Sequence, residues 1–270
     1  MSINAADFSI ILPAFIAGVL VTATHVPLGM RVLAKGIVFI DLAIAQIAGM
    51  GVILAAYFGF EPEGAAVQIA ALSAALIGAF LLTWTEKKYP EVQEAIIGVI
   101  FVLAATASVM LLAGNTHANE NLRDLLIGQI LWVRAERLPF EALIYASILA
   151  IWFLFNKRIG RIGFYMLFAC AVTVSVQLVG LYLVFSSLII PPLATRRMNK
   201  YRLFTSYMIG VFGYATGLFL SVLLDLPTGP IIVWMLAVTG IVVHFVTGLR
   251  SRLNNVEADS REALILKEHG

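Results

Sequence analysis

The feature that most constrains this chain is a series of long apolar runs that contain very little charge. A helix needs about 20 consecutive apolar residues to cross the hydrocarbon core of a bilayer, with roughly 17–25 tolerated. Lipid offers the backbone no hydrogen bonds, so such runs have to be helical. The pattern predicts an all-α polytopic membrane protein with about eight or nine transmembrane segments. The runs cover residues 8–30, 37–58, 65–84, 95–112, 140–155, 162–179, 181–194, 203–224 and 231–249.

The composition supports the same fold class. Hydrophobic residues make up 61% of the chain and charged residues 13%, against about 45–50% and about 25% in soluble domains. The sixth and seventh runs are short and are separated only by Gly180, which predicts either a tight helix pair or one broken helix. Gly213 and Gly217 lie four residues apart and permit close helix packing, within the subunit or at a homodimer seam.

The distribution of positive charge predicts how the chain is oriented in the membrane. If the C-terminus is cytoplasmic and the segments alternate backwards from it, all but three of the 18 lysines and arginines fall on the cytoplasmic side. The exceptions are Arg123, Arg134 and Arg137. The positive-inside rule therefore favours an N-terminus outside and a C-terminus inside, in a bacterial plasma (inner) membrane.

Two stretches do not fit plain spans. Residues 115–139 are polar at first and then amphipathic, which predicts a short helix at the outer interface with Trp132 at headgroup level. Residues 251–270 are rich in charge and predict a cytoplasmic tail after a transmembrane domain over residues 1–250. Within the outer stretch, His117 and Glu120 are candidates for receiving a metal ion from an external partner.

Motifs of catalytic chemistry are missing from the sequence. It contains no Gly-x-x-x-x-Gly-Lys-Ser/Thr loop, no His-Glu-x-x-His pair, no paired cysteines and no Gly-x-Ser-x-Gly elbow. We therefore expect a non-catalytic chain with no bound cofactor and no nucleic-acid partner. Ser186, Ser187 and His244 lie in apolar runs, but their spacing gives no reason to pair them as an intramembrane enzyme.

Asp41 is the most informative polar residue within a predicted span. A carboxylate inside a membrane helix costs about 2.5–3.5 kcal/mol on insertion scales, and it usually faces a cavity or a partner. Asp41 is therefore either a cation ligand or a structural anchor bonded to a neighbouring helix end. Gln46 lies about 140° around an ideal helix from it and is better placed for an interhelical hydrogen bond. His25, in the first span, is a weaker candidate for the same ion path.

The stretch 177–196, which reads QLVGLYLVFSSLIIPPLATR, resembles the signature of the manganese/zinc/iron-type permeases of ABC importers, the ABC-3 family. Further resemblances occur in order along most of the chain. Residues 91–98 resemble the family's entry into its fourth helix, 122–128 its Asp-Leu-x-x-x-Leu-Phe-Gly element, and 225–229 the turn before its last helix.

The resemblance implies the permease fold of vitamin B12, siderophore and metal importers. It implies a homodimer of permease subunits in membrane lipid, two cytoplasmic ATPase subunits that bind ATP, and an extracytoplasmic receptor that delivers a divalent metal ion. Zinc is favoured by its frequency in the family, followed by manganese or iron. The region that would couple to the ATPase carries two prolines, expected to end their helix at the inner face, and four cations: Pro191, Pro192, Arg196, Arg197, Lys200 and Arg202.

The sequence departs from the family pattern in the second helix, where the family usually reads Asp-Ala-x-Ser-His. Here the Asp is Asp41, and the position of the His holds Ala45, or Gln46 with a shift of one residue. Imidazole favours zinc while oxygen ligands suit manganese, so this loss weakens a zinc site in that helix. The alternative to an ATP-driven importer is a secondary transporter of a small solute or cation that is driven by an ion gradient.

Overall fold

The computed structural model describes residues 5–61, 64–112, 130–155, 158–198 and 200–247. These residues form nine α-helices, of which eight are long and apolar enough to cross a membrane. The exception is α7, with 14 residues. The helices are α1 (Ala5–Lys35), α2 (Ile40–Tyr57), α3 (Ala65–Lys88), α4 (Gln93–Leu112), α5 (Leu138–Phe155), α6 (Arg161–Val179), α7 (Leu181–Ala194), α8 (Arg202–Leu224) and α9 (Thr228–Thr247).

The predicted spans agree with these helices, and the clearest difference concerns α1. Its predicted end was residue 30, whereas the helix continues to Lys35. The last turn of α1 contains polar residues because Lys35, at its end, contacts Glu86 of α3 and so remains part of the packed structure. The charged tail at 251–270 and most of the predicted outer helix at 115–139 lie outside the described residues. The described end of that stretch is a single 3₁₀ turn, Ile130–Trp132.

Gly180 separates α6 from α7, which confirms the break predicted at this residue. Its backbone has φ +87° and ψ +160°, a conformation that is essentially restricted to glycine. The break costs little hydrogen bonding, since the Gly180 amide donates to Val176 and the Gly180 carbonyl accepts from the Val184 amide. Gly180 is buried, so the chain changes direction inside the protein.

The prediction that Pro191 and Pro192 end their helix was wrong. Both lie inside α7, which continues to Ala194. A proline removes the hydrogen bond to the carbonyl four residues earlier, so Pro192 releases the Leu188 carbonyl. That oxygen lies against Gly29 of α1, and a Cβ at Gly29 would overlap it. The released carbonyl thus packs closely against the backbone of a neighbouring helix.

α1 packs against four other helices, α5, α6, α7 and α8. Gly18 accommodates the ring of Tyr214, and Gly210 accommodates the side chain of Thr22. These two contacts run in opposite sequence order, so α1 and α8 are antiparallel. Pro27 leaves the Ala23 carbonyl without its helical donor, and the Tyr207 hydroxyl of α8 donates to it at 3.1 Å.

The small-residue face of α8 is used within the subunit. Gly213 lies against Leu236 of α9, and Gly217 lies against the backbone of Ile232. A homodimer seam through these two glycines, which the sequence left open, is therefore not available in this conformation.

Gly29→Ala tests the contact between α1 and α7. The added methyl group would force α1 away from the Leu188 backbone, and overpacking of this kind costs about 1–3 kcal/mol. Gly98→Ala in α4 is the matched control, because a Cβ there meets nothing within 4 Å. We expect thermal unfolding in detergent to occur at a lower temperature for Gly29→Ala only. Equal unfolding temperatures for the two variants would refute the close packing.

Candidate functional site

Asp41 lies in the first turn of α2 and is completely buried. Neither of its carboxylate oxygens has a hydrogen-bond partner among the described residues. An anchor role would require such a bond, so the structure does not support the structural alternative for this side chain. Buried polar groups are usually satisfied, and an unsatisfied carboxylate calls for an unseen ion, water or proton.

The rest of α2 does not complete a binding site around Asp41. Ala45, at the position of the family's histidine, is buried and has no ligating atom. Gln46 is half-buried, and its side chain makes no hydrogen bond within the described part of the chain. The interhelical bond expected for Gln46 is therefore not formed in this conformation.

His25 is fully buried in α1, and its two ring nitrogens differ. Nδ1 lies 3.0 Å from the Val21 carbonyl oxygen. The Thr24 hydroxyl lies 3.1 Å from the same nitrogen. A carbonyl can only accept, so the bond to Val21 forms in the tautomer with the hydrogen on Nδ1, in which Nε2 presents a lone pair. Nε2 has no partner among the described residues. A histidine that ligates a metal typically donates its other N–H to a backbone carbonyl in this manner.

Asp41 and His25 do not by themselves form a metal cage. Across the described ranges, no three His, Cys, Asp or Glu side chains lie close enough together to hold a metal ion. His25 lies ten residues before Lys35, or about 15 Å along α1, whereas Asp41 lies at the start of the next helix. The two residues are thus at different depths. His117 and Glu120 fall outside the described residues.

A set of cations marks one end of the bundle, which we call the basic end. Glu86 of α3 binds two of them: Lys35 Nζ lies 2.6 Å from Oε1, and Arg161 Nε lies 3.4 Å from Oε2. These contacts join the ends of α1, α3 and α6. Lys35 also lies over the rings of Phe164 and Tyr165. The basic end comprises Lys35, Lys88, Arg158, Arg161, Arg196, Arg197, Lys200 and Arg202.

The cations between α7 and α8 have no such partners. Arg196, Arg197, Lys200 and Arg202 meet no carboxylate within the described residues, and the first three are exposed. Lys87 and Arg158 also lack a carboxylate partner among the described residues, but the cluster at 196–202 is denser, with four cations in seven residues. This cluster has charge available for an acidic partner.

The turn that carries this cluster is fixed by two buried hydroxyl groups. Thr195 Oγ1 and Ser206 Oγ lie 2.6 Å apart, so one hydroxyl donates to the other. The remaining hydroxyl hydrogen is left for a backbone carbonyl, and the Pro191 oxygen lies 3.1 Å from Thr195 Oγ1 and 3.3 Å from Ser206 Oγ. Tyr201 closes the turn with a left-handed backbone, φ 58°. The residues around Pro191 thus position the cations, although the prolines do not end the helix.

Two acidic residues were missed by the sequence reasoning. Glu86 was hidden at the end of an apolar run, and Glu94 of α4 accepts a hydrogen bond from the Phe39 amide at the start of α2. The sequence signal for Glu86 and Glu94 was their position, since each is an acidic residue near the end of a helix. The enzyme alternative finds no support, since Ser187 bonds to Tyr214 and His244 Nδ1 donates to the Ala194 carbonyl.

The long apolar helices, the buried carboxylate and the cationic turn define a polytopic membrane protein of the transporter permease class. The family model described as the ABC 3 transport family matches residues 7–164 and 156–247. The chain therefore belongs to the ABC 3 transport family.

Individual proteins agree with this membership. The chain is 27% identical over 234 residues to a protein of Chlamydia muridarum named "Probable metal transport system membrane protein", covering 78% of this chain and 80% of that protein. PsaBC from Streptococcus pneumoniae, solved in complex with a Fab, has a similar fold, with a TM-score of 0.67 and 21% identity, covering 87% of this chain and 89% of that chain. A second solved structure, described as an inward-facing conformation of a metal-chelate type ABC transporter, has a TM-score of 0.67 and 15% sequence identity. The match covers 91% of this chain and 90% of that chain.

Glu86→Gln tests the junction at the basic end. The side chain of Glu86 is only 15% exposed and that of Lys35 23%, so losing the carboxylate leaves a half-buried ammonium without its counter-charge. We expect a loss of about 1–3 kcal/mol in stability, between the values for exposed and for buried pairs. Thermal unfolding of Glu86→Gln, Lys35→Gln and the double variant measures the coupling. The exposed Glu91→Gln is the control, and additive effects of the two single changes would disprove the pairing.

Proposed function

We propose that this chain is the permease subunit of an ATP-driven importer of a divalent transition metal ion. Membership of the ABC 3 transport family supports the transport class, and the relatives named above support the metal. Zinc is the first candidate ion, followed by manganese or iron. The single observation that carries the assignment of a site is the buried carboxylate of Asp41, neither oxygen of which has a hydrogen-bond partner among the described residues.

The ion would contact Asp41 in passing and not in a permanent cage. A site of one carboxylate, without the family's histidine, binds weakly, and conduction requires binding that is weak enough to allow release. The Nε2 lone pair of His25 would supply a second contact at another depth. Two contacts at separate depths describe a path.

The partners follow from the same proposal. Two copies of this chain would form the transmembrane pathway, an extracytoplasmic receptor would deliver the ion, and two ATPase subunits would bind at the basic end. The cations of 196–202, which meet no carboxylate in the described part of the chain, would face acidic residues of the ATPase. This arrangement makes the basic end cytoplasmic, in agreement with the positive-inside rule, and leaves the N-terminus outside.

Asp41→Ala should abolish uptake while leaving the transporter assembled. Losing one charged ligand is worth about 1.5–3 kcal/mol, so we expect uptake to fall about tenfold or more. The assay is uptake of radioactive zinc, and separately manganese, into vesicles that contain the permease and its ATPase. Asp225→Asn is the matched control, because Asp225 is an exposed carboxylate directly after the last residue of α8, at the end of that helix away from the basic end. Normal uptake by an assembled Asp41→Ala transporter would rule out the site.

Charge reversal in the cationic turn should detach the ATPase. We expect the double variant Arg196→Glu/Arg197→Glu to retain its fold but to lose copurification of the ATPase and metal-stimulated ATP hydrolysis. The control is Lys87→Glu/Arg158→Glu, which makes the same change in charge at the same end with cations that are also unpaired. If both double variants behave alike, general charge and not the turn is responsible.

The gradient-driven alternative is tested with the same vesicles. A variant of the ATPase partner that cannot hydrolyse ATP should stop uptake at any imposed proton or sodium gradient. Uptake that follows the gradient and ignores the ATPase would replace the proposal.

A further inference from the structure

A groove of about 490 Å³ lies between the last turns of α7 and the second half of α9. Its apolar wall includes Ile190, Ala237, Gly240 and Ile241, and its open end at the basic end carries Arg196 and Arg197. The transport proposal uses the two arginines but assigns no role to the groove itself. We call it the α7/α9 groove.

The floor of the groove is formed by direct contacts between the two helices. A Cβ on Gly240 would lie 3.0 Å from Ile190 Cγ2, so the helices nearly touch there. His244 Nδ1 donates to the Ala194 carbonyl at 3.2 Å and joins the helices again near the arginines. The two helices thus meet at Gly240 and again at His244, and the groove between them is half-open.

Depth in the membrane restricts what can occupy the groove. From Ala237 to Phe245 the wall follows nine residues of a membrane-spanning helix, a rise of about 12 Å. A water-soluble subunit docked at the basic end cannot fill an apolar cleft at that depth. The occupant has to be apolar along this length.

Charge restricts the other end of the same occupant. Arg196 and Arg197 are both exposed and meet no carboxylate among the described residues. They stand where the apolar wall of the groove ends. Basic pockets between transmembrane helices on the cytoplasmic side bind anionic headgroups, because that leaflet carries negative charge.

We propose that the α7/α9 groove binds an anionic phospholipid. One acyl chain lies along Ile190, Gly240 and Ile241, and the phosphate contacts Arg196 and Arg197. The lipid bridges α9 and the end of α7, next to the turn that would meet the ATPase. The site does not depend on which ion is carried, so its failure would leave the transport proposal intact.

The test uses the full-length permease, purified in detergent without its ATPase and stripped of lipid, because the ATPase would otherwise occupy Arg196 and Arg197. Native mass spectrometry then measures the binding of palmitoyl-oleoyl phosphatidylglycerol and of palmitoyl-oleoyl phosphatidylcholine. The acyl chains are the same, so any difference reports the headgroup. We expect phosphatidylglycerol to bind about tenfold more tightly, since each basic side chain near an anionic lipid contributes severalfold. Equal binding of the two lipids would overturn the proposal.

Two variants separate the charged and apolar parts of the site. Arg196→Gln/Arg197→Gln should remove the preference for phosphatidylglycerol and leave phosphatidylcholine binding unchanged. Ala237→Leu should weaken the binding of both lipids by filling the groove, whereas Val238→Leu, exposed on α9 outside the groove, should change neither.

Other occupants give different results. If Ala237→Leu separates the permease dimer and leaves lipid binding unchanged, a second copy of the chain fills the groove and the lipid proposal is wrong. If the preference for phosphatidylglycerol survives loss of both arginines, the anionic lipid binds elsewhere.

Discussion

Within a bilayer, every backbone carbonyl that a proline releases needs a new partner, and much of this bundle is arranged around that constraint. Pro27 frees the Ala23 carbonyl, and the Tyr207 hydroxyl of α8 bonds to it. Pro192 frees the Leu188 carbonyl, which lies against Gly29. The first carbonyl gains a hydrogen bond from another helix and the second a close backbone contact with another helix. Both contacts join α1 to a neighbouring helix.

The sequence predicted the membrane-spanning helices well, because lipid imposes a length and a polarity that are visible in a single chain. It also located the break at Gly180. It failed at Pro191, where the expected end of the helix depended on contacts with α1 that no local pattern reveals. Glu86 escaped notice for a similar reason: its partners Lys35 and Arg161 lie on other helices, far away in sequence.

The candidate site was predicted in part. Asp41 stood out because a lone carboxylate in a span is costly, and the structure adds that it has no hydrogen-bond partner among the described residues. From sequence, His25 was only a weaker candidate for the ion path. Its bond to the Val21 carbonyl fixes which nitrogen carries the hydrogen and leaves Nε2 as a lone pair. Tautomers depend on a three-dimensional neighbour, so spacing alone could not supply this distinction.

The reversal at Gly180 also has an electrostatic consequence. The carboxyl end of α6 carries a partial negative charge and the amino end of α7 a partial positive one, each of about half an elementary charge. The two ends meet at one residue, and the Gly180 amide and carbonyl are both hydrogen-bonded there. The two partial charges therefore cancel locally. The two helix ends at Gly180 therefore present no net partial charge to a nearby ion. In carriers with broken helices, by contrast, the charged helix ends point at the substrate.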